Sequence, residues 1–263
     1  MFSAAVGLPL LILFVLYAGP MLFNGLLCLL SAVGLHEFYR MGLPASRRSE
    51  ASLGVAAGTV LAGLIMFRLE GSLVLGLAIL LMFGLMMVFL FRHRQIADTA
   101  REIGVVLLGL AYVPLLLSHA GLLRSLPMGH LWIFSVLFLV MASDSAAYFI
   151  GRSFGRTKLY PAVSPNKTIE GSLGGLAGGI IGLLIFSLLF FPQLRIVDIL
   201  LLGAVVGLFS QVGDLFESLL KRSFGVKDSG SLIPGHGGIL DRLDSLLFAF
   251  PVSYYYVIWI YGG

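Results

Sequence analysis

The 263-residue sequence is 59% hydrophobic and only 11% charged, which excludes a water-soluble globular domain, since such a chain would leave far too much apolar surface in water. Its net charge of +4 is modest and gives no ground for a nucleic-acid partner. A single cysteine, Cys28, excludes a disulfide framework, and with no histidine pair at ligand spacing it also excludes a soft-metal centre.

What remains is an all-α, polytopic membrane protein. Apolar runs predict nine helices, at 3–18, 20–39, 52–69, 72–91, 100–122, 129–150, 170–191, 196–220 and 244–261. No Lys or Arg precedes the first run, so it is read as a retained helix and not as a cleaved signal peptide. Fourteen of the 17 Lys and Arg residues fall in the loops after the second, fourth, sixth and eighth helices. The positive-inside rule therefore places those loops in the cytoplasm. No internal repeat or low-complexity linker interrupts the chain, so residues 1–263 are taken as one membrane domain, with 1–130 as packing helices and 131–263 as the catalytic part.

The first half offers little chemistry. Glu37, at the end of the second helix, is read as the partner of Arg40, and His93, His119 and His130 are read as interfacial residues. In the sixth helix Asp144 interrupts an apolar run, and with Tyr148 and Arg152 it forms a stripe at i, i+4, i+8. The loop that follows holds Arg156, Lys158, Asn166 and Lys167 and feeds a helix N-terminus, where free N–H groups and the positive dipole end favour anions. Lys167 is thereby placed to meet a phosphate. The seventh helix carries Gly171, Gly175 and Gly179, with Gly174, Gly178 and Gly182 as a second ridge. Small residues at this spacing imply close helix contacts, within the bundle or between the protomers of a homodimer.

Most of the remaining charge is concentrated in residues 210–244. Ser210, Asp214, Glu217, Ser218 and Lys221 share one face of the eighth helix, and Arg222 and Lys227 follow. Then comes a loop with His236, Gly237 and Gly238, whose glycines permit a close backbone approach to a ligand. His236 is suited to donate to a phosphate or to serve as acid or base. Asp241, Arg242 and Asp244 close the run. A carboxylate at a membrane helix centre costs roughly 2.5 to 3.5 kcal/mol, so Asp214 is expected to have a partner and a task. Asp214 and Asp241 are expected to converge on one cation. Paired carboxylates beside basic groups and a glycine loop suit Mg²⁺ carrying phosphates.

The run from Ser218 through Lys221, Arg222, Lys227, Asp228, Pro234, His236, Gly237, Gly238, Asp241 and Arg242 to Asp244 resembles the signature of the phosphatidate cytidylyltransferase family, and so does the stretch from Asp144 to Gly171. The resemblance implies transfer of a cytidylyl group from CTP to phosphatidate, giving CDP-diacylglycerol and pyrophosphate, with Mg²⁺ as cofactor. It also implies phospholipid biosynthesis at the inner cell membrane, with membrane lipids around the protein and the site facing the cytoplasm. On that reading Asp214 and Asp241 hold Mg²⁺, while Lys167, Lys221, Arg222, Lys227 and Arg242 neutralise the phosphates. Asp144, Ser218 and Asp244 complete a second cation shell, open to a monovalent ion, or orient the basic groups. Asn166 contacts substrate, and the Gly237 and Gly238 backbone cups a phosphate. Two other readings stay open: a CTP-dependent kinase of lipid alcohols, and a cation-coupled transporter using Asp144 and Asp214.

Overall fold

The computed structural model describes residues 10, 12–92, 96–232 and 237–262. These fold into helices α1 (Pro20–Gly42), α2 (Arg48–Met66), α3 (Gly71–Phe91), α4 (Ile96–Tyr112), α5 (Pro114–Arg124), α6 (Gly129–Phe154), α7 (Ile169–Phe190), α8 (Ile196–Ser223) and α9 (Leu240–Tyr256). A π-helix, Val257–Tyr261, continues the last of them. Hydrocarbon offers the backbone no hydrogen-bond partners, so an apolar chain satisfies its N–H and C=O groups within helices. Eight helical stretches among the described residues are long and apolar enough to cross a membrane. The protein is an all-α, polytopic membrane protein. Half of the ninth expected helix, 3–18, lies outside the described residues; 10 and 12–17 are helical.

The expected helix 100–122 is a pair, α4 and α5, broken at Val113. Pro114 has no N–H to donate to the preceding turn, and it starts the new helix at a position where none is needed. The last helix begins at Leu240 and not at 244, so Asp241 lies in its first turn and Asp244 follows three residues on. Two compact units make up the chain, Met1–Ile133 and Phe134–Gly263.

In the first unit Tyr39 is buried between α2 and α4, and its hydroxyl donates to the Val106 carbonyl at 2.9 Å. Gly54 and Gly109 make room for the ring; a Cβ at either position would collide with it. Arg47 is 1% exposed and is held by Glu50 at 2.9 Å, Glu102 at 2.8 Å and the Arg92 carbonyl at 2.8 Å. A charge so deeply buried persists only when its donors are met. The single Arg47 side chain thus ties α2 to α4 and to the end of α3. Glu37 is buried and Arg40 exposed. One expectation fails in this unit. His119 is not interfacial: it is 7% exposed, with Nδ1 2.8 Å from the Leu115 carbonyl oxygen.

In the second unit both glycine ridges of α7 are used against α6. Gly174 faces Ile150, Gly178 and Gly182 face Ala146 and Ala142, and Gly175 approaches Ala147 and the Ser143 carbonyl. Any larger side chain at Gly178 would force the helices apart, because the space for it is filled by Ala146. Gly213 lets α8 meet α9, with the Asp244 carbonyl 2.7 Å from where its Cβ would stand. At the opposite end of α8 the buried Asp198 accepts from Arg195 at 2.6 and 3.0 Å and from the Tyr256 hydroxyl at 2.7 Å, fastening the end of α9 to the start of α8.

Candidate active site

Between α6 and α7 the sequence suggested only a loop. The structure forms a hairpin there, Lys158–Tyr160 paired antiparallel with Ser164–Thr168. Its second strand runs into α7, where the Thr168 hydroxyl caps the helix by accepting from the Gly171 N–H at 3.1 Å. Glu170 reaches back to accept from the N–H groups of Arg156 and Thr157, each at 3.1 Å. These bonds fix the direction of the strand that bears Asn166 and Lys167.

That strand forms one wall of a cavity of about 580 Å³. α6 contributes Asp144, Tyr148 and Arg152 to it, the hairpin contributes Asn166 and Lys167, and α8 contributes Gln211 and Asp214. Lys167 Nζ lies 2.6 Å from Asp214 Oδ2, with the two side chains 29% and 30% exposed, so the pair remains open to the cavity. Asp144, Asp214 and Asp244 lie within electrostatic reach of one another. Three neighbouring carboxylates require cations, and Lys167 supplies one.

A second cluster gathers on Asp241. Its Oδ1 is 2.6 Å from Lys221 Nζ, which also reaches Glu217 Oε1 at 3.1 Å. Its Oδ2 accepts from the Ser229 N–H and hydroxyl, both at 2.9 Å, and from the Gly238 N–H at 2.8 Å. Gly237 has φ +81°, and a Cβ there would come 2.6 Å from that same oxygen, so glycine is required both for conformation and for room. The glycine backbone, expected to cup a phosphate, directs its Gly238 N–H at this chain's own carboxylate.

The other sequence candidates are placed as follows. Arg222 is exposed and donates to the Val226 carbonyl at 3.1 Å, shaping the turn after α8. Lys227 and Arg242 are exposed, Asp244 accepts from the Ser245 N–H at 2.7 Å, and Ser218 is half-buried and outside the cavity wall. Ser210 is buried and bonds back to the Gly207 carbonyl at 2.9 Å. His236 lies outside the described residues.

Three polar contributors were given no role from the sequence. Gln211, one turn before Asp214 on the same face of α8, exchanges hydrogen bonds with Ser172 of α7: its Nε2 donates to the Ser172 carbonyl at 3.0 Å, and the Ser172 hydroxyl donates to its Oε1. The spacing from Asp214 was the available signal. Ser229, by contrast, is a loop residue 12 positions from the carboxylate it binds, and no periodicity links them. Glu217 was placed on the polar face, and it is 1% exposed with Oε2 lacking a hydrogen-bond partner among the described residues.

Among the described residues no three His, Cys, Asp or Glu side chains close around one point as a metal site. One or two cavity carboxylates plus phosphate oxygens and water is the donor set Mg²⁺ accepts, so Asp144 and Asp214 fit that ion. Asp241 fits it only if Lys221 leaves Oδ1.

Comparison with known proteins agrees with the resemblance. Phosphatidate cytidylyltransferase of Bacillus subtilis is 41% identical over 158 residues, covering 60% of this chain and 59% of that protein. The phosphatidate cytidylyltransferase of Staphylococcus epidermidis is 46% identical over 121 residues, covering 46% of each chain. The uncharacterized protein YnbB of Escherichia coli is 45% identical over 149 residues, covering 54% of this chain and 49% of that one. The matched stretch thus spans about half the length of these relatives. The profile of the cytidylyltransferase family matches residues 2–260, and the chain belongs to that family.

Proposed function

We propose that the protein is a phosphatidate cytidylyltransferase that joins CTP to phosphatidate, with Mg²⁺ as cofactor, and releases pyrophosphate. The observation that carries this reading is the open cavity in which Lys167 and Asp214 meet at 2.6 Å beside Asp144. It combines a cation for phosphate with carboxylates for a divalent ion, on membrane helices that can take a lipid from the side. The relatives named above support the same substrates.

In the reaction a phosphatidate phosphate oxygen attacks the α-phosphorus of CTP, and the bond from that phosphorus to the bridging oxygen of the β-phosphate breaks. The nucleophile is already anionic, so no base has to remove a proton; the barrier comes from bringing two polyanions together in line. Mg²⁺, when bound, supplies charge neutralisation on the triphosphate, and Asp214 with Asp144 would hold it. Asp241 joins them if Lys221 moves from its carboxylate to a phosphate. Lys167 and Lys221 are suited to such a move, because each ammonium already lies 2.6 Å from a carboxylate oxygen and needs only a change of side-chain rotamer. Arg222, Lys227 and Arg242, exposed around the same loop, assist with the leaving pyrophosphate. Asn166 in the cavity wall orients the substrate.

The test is pyrophosphate release by the purified protein. It should require CTP, phosphatidate and Mg²⁺ together and should stop on adding EDTA. Release from CTP without phosphatidate would refute the assignment.

The site is proposed to face the cytoplasm, because the hairpin and the 221–242 loop lie on the side that holds 14 of the 17 basic residues. Ser153 and Ser223 are exposed. Cysteine at either position, in a Cys28→Ser background, should react with an impermeant thiol reagent in inverted vesicles and not in intact cells. The reverse pattern would overturn the orientation.

A further inference from the structure

The N-terminal unit holds a second polar cavity, of about 490 Å³, where the end of α1 meets the start of α2. Its wall includes His36, Tyr39, Arg40, Arg47, Arg48 and Ser52 and contains no carboxylate. Arg47 offers an incoming anion no free positive charge, since Glu50 and Glu102 both bind it from behind and more than offset it. Arg40 and Arg48 are different: both are exposed, and neither pairs with a carboxylate among the described residues. The neighbouring cavity, of about 540 Å³, also has Arg47 in its wall, but there Asp98 and Glu102 offset Arg47 and Arg101, so it offers an anion no excess of positive charge. The charge asymmetry between the two is therefore specific to the Arg40 and Arg48 side.

We infer that this cavity binds the phosphate headgroup of an anionic phospholipid from the surrounding bilayer, at a site separate from the catalytic cavity. Two exposed guanidinium groups at a helix junction can take a phosphodiester from both sides, and the buried Arg47 ion pairs keep the wall behind them rigid. Leu53, on the turn after Ser52, is 44% exposed and offers an apolar surface along which an acyl chain can lie. A phosphodiester lipid is favoured over a soluble phosphate because the cavity opens at the ends of two membrane-spanning helices, where lipid headgroups are concentrated.

The full-length protein in phosphatidylcholine nanodiscs would be titrated with a photoreactive phosphatidylglycerol, and adducts on residues 36–52 measured by mass spectrometry. Saturable labelling there is expected. Arg40→Gln with Arg48→Gln should raise the half-saturating lipid fraction about 30-fold, equivalent to about 2 kcal/mol for two charges near the surface. Arg40→Lys with Arg48→Lys should restore it. If the double variant melts early, Arg40→Gln alone should still give a shift of about fivefold. Equal labelling by a photoreactive phosphatidylcholine, or no change in the Gln variants, would overturn the site. Displacement by millimolar inorganic phosphate would assign it to a soluble anion and overturn the lipid assignment.

Discussion

Asp214→Asn is expected to lower turnover by at least about 100-fold, a loss of roughly 2.7 kcal/mol of transition-state stabilisation, while insertion and thermal stability stay close to wild type. The side chain is 30% exposed and its ion-pair partner among the described residues is Lys167, so the fold does not depend on its charge. The chemistry does. Asn keeps the shape but cannot neutralise a divalent ion carrying the triphosphate, and it removes the carboxylate that holds Lys167 at 2.6 Å. The loss should appear in kcat and should not be recovered at saturating CTP. A variant that retains more than about a tenth of the wild-type rate, a deficit below roughly 1.4 kcal/mol, would remove Asp214 from the metal site.

Asp241→Asn should lose activity to a similar degree for a partly different reason. Its carboxylate receives the Lys221 ammonium, the Ser229 N–H and hydroxyl and the Gly238 N–H. An amide offers one acceptor oxygen and turns an NH₂ toward donors, so at least one buried group loses its partner at about 1 to 3 kcal/mol. Deuterium exchange of residues 226–241 should therefore accelerate in Asp241→Asn and remain unchanged in Asp214→Asn. Equal exchange in the two variants would mean that Asp241 does not organise the loop and acts on the substrate alone.

The parts of this protein legible in its sequence are those with a short period or a cost. Apolar runs marked the spanning helices, the four-residue glycine spacing marked the α6 and α7 contact, and the expense of an intramembrane carboxylate marked Asp144 and Asp214. Lys167 was legible from the loop that frames it, but its partner was not, because Asp214 is 47 residues away and only the hairpin's register brings them together. The same applies to Asp241. Its place in a glycine loop suggested a ligand, whereas the bonds from Ser229 and Gly238 depend on how the chain from 225 to 240 folds back. The break at Pro114 was visible in principle and was overridden by the hydropathy of the 29-residue stretch around it. The Arg47 ion pairs were hidden for a simpler reason: a basic residue in a cytoplasmic loop reads as a topology signal, and nothing local shows that it is buried.

The most direct test follows one phosphorus atom. Attack by phosphatidate on the α-phosphorus of CTP leaves the α-phosphate in the lipid and expels the other two as pyrophosphate. Purified protein with phosphatidate and Mg²⁺ should therefore transfer ³²P from α-labelled CTP into chloroform-extractable lipid, and none from γ-labelled CTP. A kinase acting on a lipid alcohol would give the opposite labelling. Lipid labelled from the γ position, or lipid unlabelled by both nucleotides, would contradict the assignment of this chain as a phosphatidate cytidylyltransferase.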